Sequence, residues 1–281
     1  MVPGAPRAWT AGLLATLTMA SSGSAQAFRN PDSRLQWTVQ GDVPVLLLAV
    51  TATAWPRAFE GDLASRDTAV RDSAAVNALD RVATRHWSPA LSRASDGVLY
   101  GSLGSAFAIL SIQAISRRHA VGAWAIRAGV VAESVLVASG LTQVVKSSVR
   151  RPRPLWFNPA APDSARAEPD GQLSFWSGHT AVVASALASL TTVEWIDHPG
   201  SPEAWTCTAL TVAMVPLTAA LRVLSGKHYP TDVLAGGLVG VAVGVGVPLL
   251  HQWRPVSSAP SLQVGFVPIQ DGGGLQASGS W

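Results

Sequence analysis

The stretch Phe175-Trp176-Ser177-Gly178-His179-Thr180, followed at once by the apolar run Ala181–Leu190, decides how this chain is read. Ser177 is a favourable N-cap residue, and Gly178 lets a ligand approach the backbone closely. His179 then falls in the first turn of a helix, among N–H groups without intrahelical partners and at the positive end of the helix dipole. Such a helix start accepts an anion, and here it carries a proton donor inside it. Taken alone, Ser-Gly-His before a helix is also an ordinary loop and cap, so the surrounding chain has to decide.

Composition places this helix in an apolar setting. Of 281 residues, 48% are hydrophobic and 13% charged, against roughly 25% charged in soluble domains. The mean hydropathy is positive, and eleven Trp stand against two Tyr, a bias that suits membrane interfaces. The net charge of +3 is too small to argue for nucleic acid. Cys207 is the single cysteine, which excludes an intrachain disulfide and suits a small core residue.

Residues 1–27 have the layout of an export signal. Arg7 is the positive start, Trp9–Met19 the short apolar core and Ala25-Gln26-Ala27 the cleavage motif. An uncleaved membrane anchor is the alternative. Residues 28–96 follow as an N-terminal region. Within it Val43–Trp55 is apolar but only about two-thirds of a bilayer span, and Arg57–Asp96 mixes charges with apolar residues at helical spacing. That pattern predicts amphipathic helices outside the membrane.

Residues 97–254 hold five apolar segments: Val98–Ile115, Val121–Val145, His179–Trp195, Trp205–Leu224 and Val233–Trp253. The fold class read from this pattern is all-α, a bundle of five to six mostly membrane-spanning helices. In the last segment Gly236, Gly240 and Gly244 form a stripe of small residues that admits a close neighbour. Arg127 and Glu133 interrupt the second segment, which keeps a soluble exported bundle open as an alternative. Residues 255–281 turn to Ser, Pro, Gly and Gln and read as a hairpin or a flexible tail.

Polar residues that this pattern leaves over gather at helix ends in three groups. The first is Lys146 to Pro154, with Arg150, Arg151 and Arg153. The second is Ser177-Gly178-His179. The third runs from Arg222 through His228 to Asp232. A His with an Asp four residues on can be held in one tautomer, as a nucleophilic imidazole requires. Together the groups supply what phosphoryl transfer needs. Lys146, Arg153 and Arg222 neutralise non-bridging oxygens, helix N–H groups add fixed donors, and two imidazoles divide attack and protonation. No carboxylate cluster or Cys/His set marks a metal site, and no cofactor is expected.

The three groups resemble the signature of the type 2 phosphatidic acid phosphatase and vanadium haloperoxidase superfamily: K-x6-R-P, P-S-G-H and S-R-x5-H-x3-D. Lys146 with Arg153-Pro154 fits the first and Ser177-Gly178-His179 the second, with Trp176 in place of Pro. Arg222, His228 and Asp232 fit the third, with Leu221 in place of Ser. The resemblance, over about Val98–Trp253, implies His228 as the nucleophile of a phosphohistidine and Asp232 as its orienting partner. It implies His179 as the general acid, and Lys146, Arg153, Arg222, Ser177 and Gly178 as the phosphate-binding set. Trp176 puts the pocket's shape in question, Leu221 removes a supporting hydroxyl, and Arg150, Arg151 and Lys227 read as solvated or lipid-facing extras.

The implied activity is metal-independent hydrolysis of a phosphomonoester or pyrophosphate, with a lipid phosphate as substrate and membrane lipids as surroundings. The expected location is the inner membrane, with the site on the exported face. A periplasmic soluble acid phosphatase, a vanadate-dependent haloperoxidase and a non-catalytic membrane protein are the alternatives. Oligomeric state and the identity of the lipid are not legible.

Overall fold

A computed structural model describes residues 27–54, 68–252, 261–269 and 272–280. The signal-like segment before Ala27 lies outside the described residues, as does Arg57–Asp67 of the expected amphipathic region.

The described chain opens with a small antiparallel pair, β1 (Ala27–Arg29) and β2 (Gln36–Thr38), and enters α1 (Val39–Ala54). Two 3-10 turns, Ser73–Ala75 and Asp80–Arg85, replace the expected amphipathic helices among the described residues of that region. The long helices follow: α2 (Pro89–Ser116), α3 (Val121–Val149), the single-turn α4 (Asp163–Ala167), α5 (Gly178–Asp197), α6 (Pro202–Leu224) and α7 (Pro230–His251). A hairpin of β3 (Ser261–Ile269) and β4 (Gly272–Ser280) ends the described chain.

Helix starts obey local chemistry. Ser88 and Ser201 each precede a proline at the first helical position, and their hydroxyls accept from Leu91 N and Ala204 N. α2 therefore begins at Pro89, about two and a half turns ahead of the apolar run at Val98, and carries Ser95 and Asp96 within its opening turns. That early start brings two polar side chains to the site.

Among the described residues, four helical segments, Pro89–Ser116, Val121–Phe157, Pro202–Leu224 and Pro230–His251, are long and apolar enough to cross a membrane. α5 is the central helix, packed against α2, α3, α6 and α7, with Ala181, Val183, Ala184, Ala186, Leu187 and Leu190 buried. Large apolar side chains instead point outward on the surrounding helices, such as Leu238 on α7 (65% exposed) and Val212 on α6 (69%). An inside lined by small residues and an outside of Leu, Ile and Val is the arrangement a lipid solvent favours.

The Gly236, Gly240 and Gly244 stripe faces α5. A Cβ at any of the three would come within 2.5 Å of a backbone oxygen, of Ser177, Ala181 and Ser185 in turn. α7 thus rides directly on α5, and the first contact of that seam is Ser177 itself.

The charges inside the second apolar segment meet ionisable partners within the bundle. Arg127 is buried and pairs with Glu194, with Asp197 at 3.3 Å and Gln113 at 3.2 Å. Glu133 meets His251 at 3.2 Å. Paired in this way, neither residue opposes a membrane setting.

Candidate active site

The site forms at one end of the bundle, where the C-terminal end of α3, the start of α5 and the α6–α7 turn converge. Ser177 caps α5: its hydroxyl accepts from Thr180 N at 3.4 Å and from Thr180 Oγ1 at 3.1 Å, while its own N–H donates to the Asp232 carbonyl at 3.0 Å. Ser177 is fully buried, so its hydroxyl serves the helix. The Gly178 and His179 N–H groups, in the first turn, are the donors left to face an anion. A Cβ at Gly178 would lie 4.0 Å from Lys146 Nζ; glycine leaves that space in front of the ammonium open.

His228 follows the tight α6–α7 turn, where Gly226 takes a positive φ of 73° against the His86 carbonyl. Its Nδ1 is 2.8 Å from the Ser174 carbonyl oxygen. A carbonyl can only accept, so Nδ1 carries the proton and Nε2 of the neutral ring presents its lone pair. Burial, followed by the charges of Arg153, Arg222 and Lys146, pushes the His228 pKa well below the ordinary histidine value. The ring is thereby kept unprotonated, as a nucleophile must be.

Asp232 departs from its expected place. Its Oδ2 is 3.6 Å from His228 Nδ1, beyond hydrogen-bond reach. The carboxylate instead accepts from the Ser174 hydroxyl, from Tyr229 N at 3.0 Å and from Arg151 Nη1 at 2.7 Å. It holds the segment whose carbonyl holds the imidazole.

Arg151 is likewise no solvated extra. Its guanidinium spans Asp80 and Asp232 at 2.7 Å each, reaches Thr231 Oγ1 at 2.9 Å and stacks 3.9 Å over the Tyr229 ring. It ties the Asp80–Arg85 turn to the start of α7. Arg150 is exposed and donates to the Ser147 carbonyl, whereas Lys227 sits 5.6 Å over the Trp87 ring. Burial and then the neighbouring Arg153 charge lower the Lys227 pKa, so it stands at the rim of the cation cluster.

The clamp arginines are buried, Arg153 and Arg222 at 3% exposure each. Arg222 Nη1 donates to Ser95 Oγ at 3.0 Å; the hydroxyl that Leu221 does not offer arrives from α2. Arg153 Nη2 pairs with Asp170 on the Pro169–Gln172 turn. Burial favours protonation of Asp170, but Arg153, Lys146 and Lys227 outweigh it and hold the carboxyl far below its usual range. About half of that side chain (52%) is open to solvent, which leaves the surrounding cations to set its charge.

His179 Nε2 lies 2.7 Å from Asp96 Oδ1, and the same oxygen is 3.9 Å from Arg222. Asp96 and Asp170 were not legible as site residues, since each comes from outside the motif groups. Trp176 turns away toward α3, where its Nε1 donates to Thr142 Oγ1 at 2.7 Å.

The fold thus brings Lys146, Arg153, Gly178, Arg222 and His228 together, with His179 beside Arg222 and with Ser177 and Asp232 as supports. Among the described residues, four buried atoms of this cluster have no hydrogen-bond partner: Arg153 Nε and Nη1, Arg222 Nε and His228 Nε2. Three donors and one lone pair around a cationic pocket suit a tetrahedral oxyanion.

Residues 127–255 match the family described as PAP2 superfamily. This part of the chain is similar to that superfamily, over 129 of its 281 residues. Two relatives, each named decaprenylphosphoryl-5-phosphoribose phosphatase, come from Mycobacterium tuberculosis strains CDC 1551 / Oshkosh and ATCC 25618 / H37Rv. Each is 35% identical over 115 residues, 41% of this chain and 56% of the relative. The chain therefore spans just over half the length of those relatives. No solved structure matches the chain.

Away from this site a second polar cluster forms inside the bundle. Asp42, Glu133 and His251 are drawn together by α1, α3 and α7, residues too far apart in sequence to read as a group.

Proposed function

We propose that this protein is a phosphatase that hydrolyses a lipid-linked phosphomonoester or pyrophosphate through a phosphohistidine on His228. The observation that carries this reading is the set of partnerless buried atoms on Arg153, Arg222 and His228. The PAP2 match supports the reaction class, and the name of the two relatives supports a polyprenyl-linked phosphate.

The phosphoryl group enters with its non-bridging oxygens against Arg153, Arg222, Lys146 and the Gly178 and His179 N–H groups. His228 Nε2 attacks phosphorus from the buried side. The phosphorus–oxygen bond to the alcohol breaks as His179 protonates that oxygen, and Asp96 steadies the resulting charge change on the ring. Water, with His179 as base, then cleaves the P–N bond and releases phosphate. The cations stabilise the equatorial oxygens as negative charge spreads over them.

The outward Leu, Ile and Val side chains favour a bilayer over a soluble exported form. We place the active end on the exported face of the inner membrane, because the Arg117-Arg118 turn then lies inside.

The test is phosphate release by purified protein from a panel of lipid phosphates. Wild type is expected to turn over at least one of them and to form an acid-labile, base-stable phosphoenzyme. His179→Ala should depress kcat mainly for alkyl phosphates and spare an activated aryl phosphate, which needs little protonation help. Bromide oxidation with vanadate and peroxide in place of phosphate release would overturn the reading, and so would wild-type turnover by a folded His228→Ala protein.

A further inference from the structure

Roughly 28 Å along α7 from Asp232, at 1.5 Å rise per residue, the helix ends in His251, far from the anion pocket. Three helices meet there. Asp42 comes from the first turn of α1, Glu133 from the middle of α3 and His251 from the last turn of α7. All three are more than nine-tenths buried, at 8%, 3% and 6% exposure. Their donor atoms lie within 4.8 Å of one another.

The distances have the dimensions of a coordination shell. His251 Nε2 is 3.2 Å from Asp42 Oδ1 and 3.2 Å from Glu133 Oε2. Ligands about 2.0–2.1 Å from a tetrahedral zinc ion stand roughly 3.3 Å apart. The outer contacts are arranged accordingly. His251 Nδ1 lies 2.8 Å from the Val247 carbonyl, which can only accept, so in the neutral ring Nε2 is a lone pair aimed at the two carboxylates. Asp42 Oδ2 is taken by the Thr38 N–H and, at 3.3 Å, by the Thr38 hydroxyl. Oδ1 remains for a ligand.

A protonated imidazole bridging two carboxylates is the competing arrangement, and two observations weigh against it. First, neither 3.2 Å contact has hydrogen-bond geometry. His251 Nε2 and Glu133 Oε2 are both without a hydrogen-bond partner among the described residues. Second, an imidazolium between two carboxylates leaves a buried charge of about −1, whereas a divalent ion neutralises the group.

We propose that Asp42, Glu133 and His251 bind one divalent transition-metal ion, zinc by donor set, that clamps α1 to α3 and α7. One nitrogen and two carboxylate oxygens leave a fourth position for water. The ion is structural: its ligands come from the first described helix and from two helices that also reach the catalytic end. Apart from it, α1 packs on α3 through apolar residues, with Ala49 and Ala52 against Gly140.

The experiment uses the full chain in detergent, with any affinity tag removed, stripped with a chelator and titrated with Zn²⁺ against a chromophoric competitor. One ion per chain is expected, together with a rise in melting temperature on adding zinc. Co²⁺ should give the visible bands of a four-coordinate site. His251→Ala should weaken zinc binding by about 100-fold or more, the scale on which even outer partners of a metal ligand act. Should that variant fail to fold, Glu133→Gln keeps the shape and should lose both the stoichiometric zinc and the zinc-dependent melting shift. Wild type that takes up no Zn²⁺, Co²⁺ or Mn²⁺ overturns the proposal and leaves a proton-bridged triad. Equal zinc affinity in Glu133→Gln and wild type overturns it as well.

Discussion

The Ser174 carbonyl oxygen receives the Nδ1–H of His228 at 2.8 Å, while the carboxylate of Asp232, four residues on, stops 3.6 Å short. The imidazole is therefore oriented by backbone, and Asp232 acts by anchoring the Ser174 hydroxyl and Tyr229 N–H. Ser174→Ala removes that anchor and leaves the carbonyl. Its kcat should fall about tenfold with KM little changed, and Asp232→Asn should fall further, by two orders of magnitude or more. Steady-state kinetics on one lipid phosphate checks the ranking. Equal activity of Ser174→Ala and wild type would place the orientation elsewhere.

Charge sets the pH response. His228 attacks as a neutral ring, and burial with Arg153, Arg222 and Lys146 holds its pKa well below 6.5. The acid limb of kcat/KM for wild type should accordingly lie below pH 6.5. Arg153→Ala deletes one positive neighbour, so the His228 pKa rises and the limb should move to higher pH. Substrate ionisation is common to both proteins and cancels in the comparison.

Asp170 competes with the phosphate for Arg153. Asp170→Asn removes a negative charge from the rim of the clamp, so vanadate and phosphate should inhibit about tenfold more tightly. Inhibition constants in the two proteins decide it. An unchanged constant would mean that the Asp170 carboxylate moves aside at no cost.

The α5–α7 seam is open to a direct test. A Cβ at Gly236 would lie 2.5 Å from the Ser177 oxygen, whereas one at Gly246 meets nothing within 4 Å. Gly236→Ala should destabilise by about 1–3 kcal/mol and lower kcat, because the α5 start that carries Gly178 and His179 must shift. Gly246→Ala on the same helix should leave both melting temperature and turnover unchanged.

Orientation in the membrane has its own readout. In a Cys207→Ala background, Ser164→Cys should react with an impermeant maleimide in intact cells whose outer barrier is permeable. Ser116→Cys should react only after the inner membrane is opened. The reverse pattern would invert the topology.

Much of this was written locally. The apolar segments, the Ser-Pro and Ser-Gly helix starts and the Gly236–Gly244 stripe follow from helical period and capping chemistry, which need only neighbours in sequence. Motif spacing likewise named Lys146, Arg153, Gly178, Arg222 and His228, because each group sits at one helix end and carries its own geometry. Tertiary structure alone decided the rest. Asp96 reaches His179 only because α2 starts at Pro89, and Asp170 reaches Arg153 only because the Pro169–Gln172 turn folds over the clamp. Arg151 reads as one more surface cation until Asp80, 71 residues away, and Asp232 are brought to its two ends. Asp42, Glu133 and His251 share no helix and no motif. A single polar residue in an apolar run looks the same whether it faces lipid, a partner or an ion, and only the packing of α1, α3 and α7 gives each of the three its neighbours.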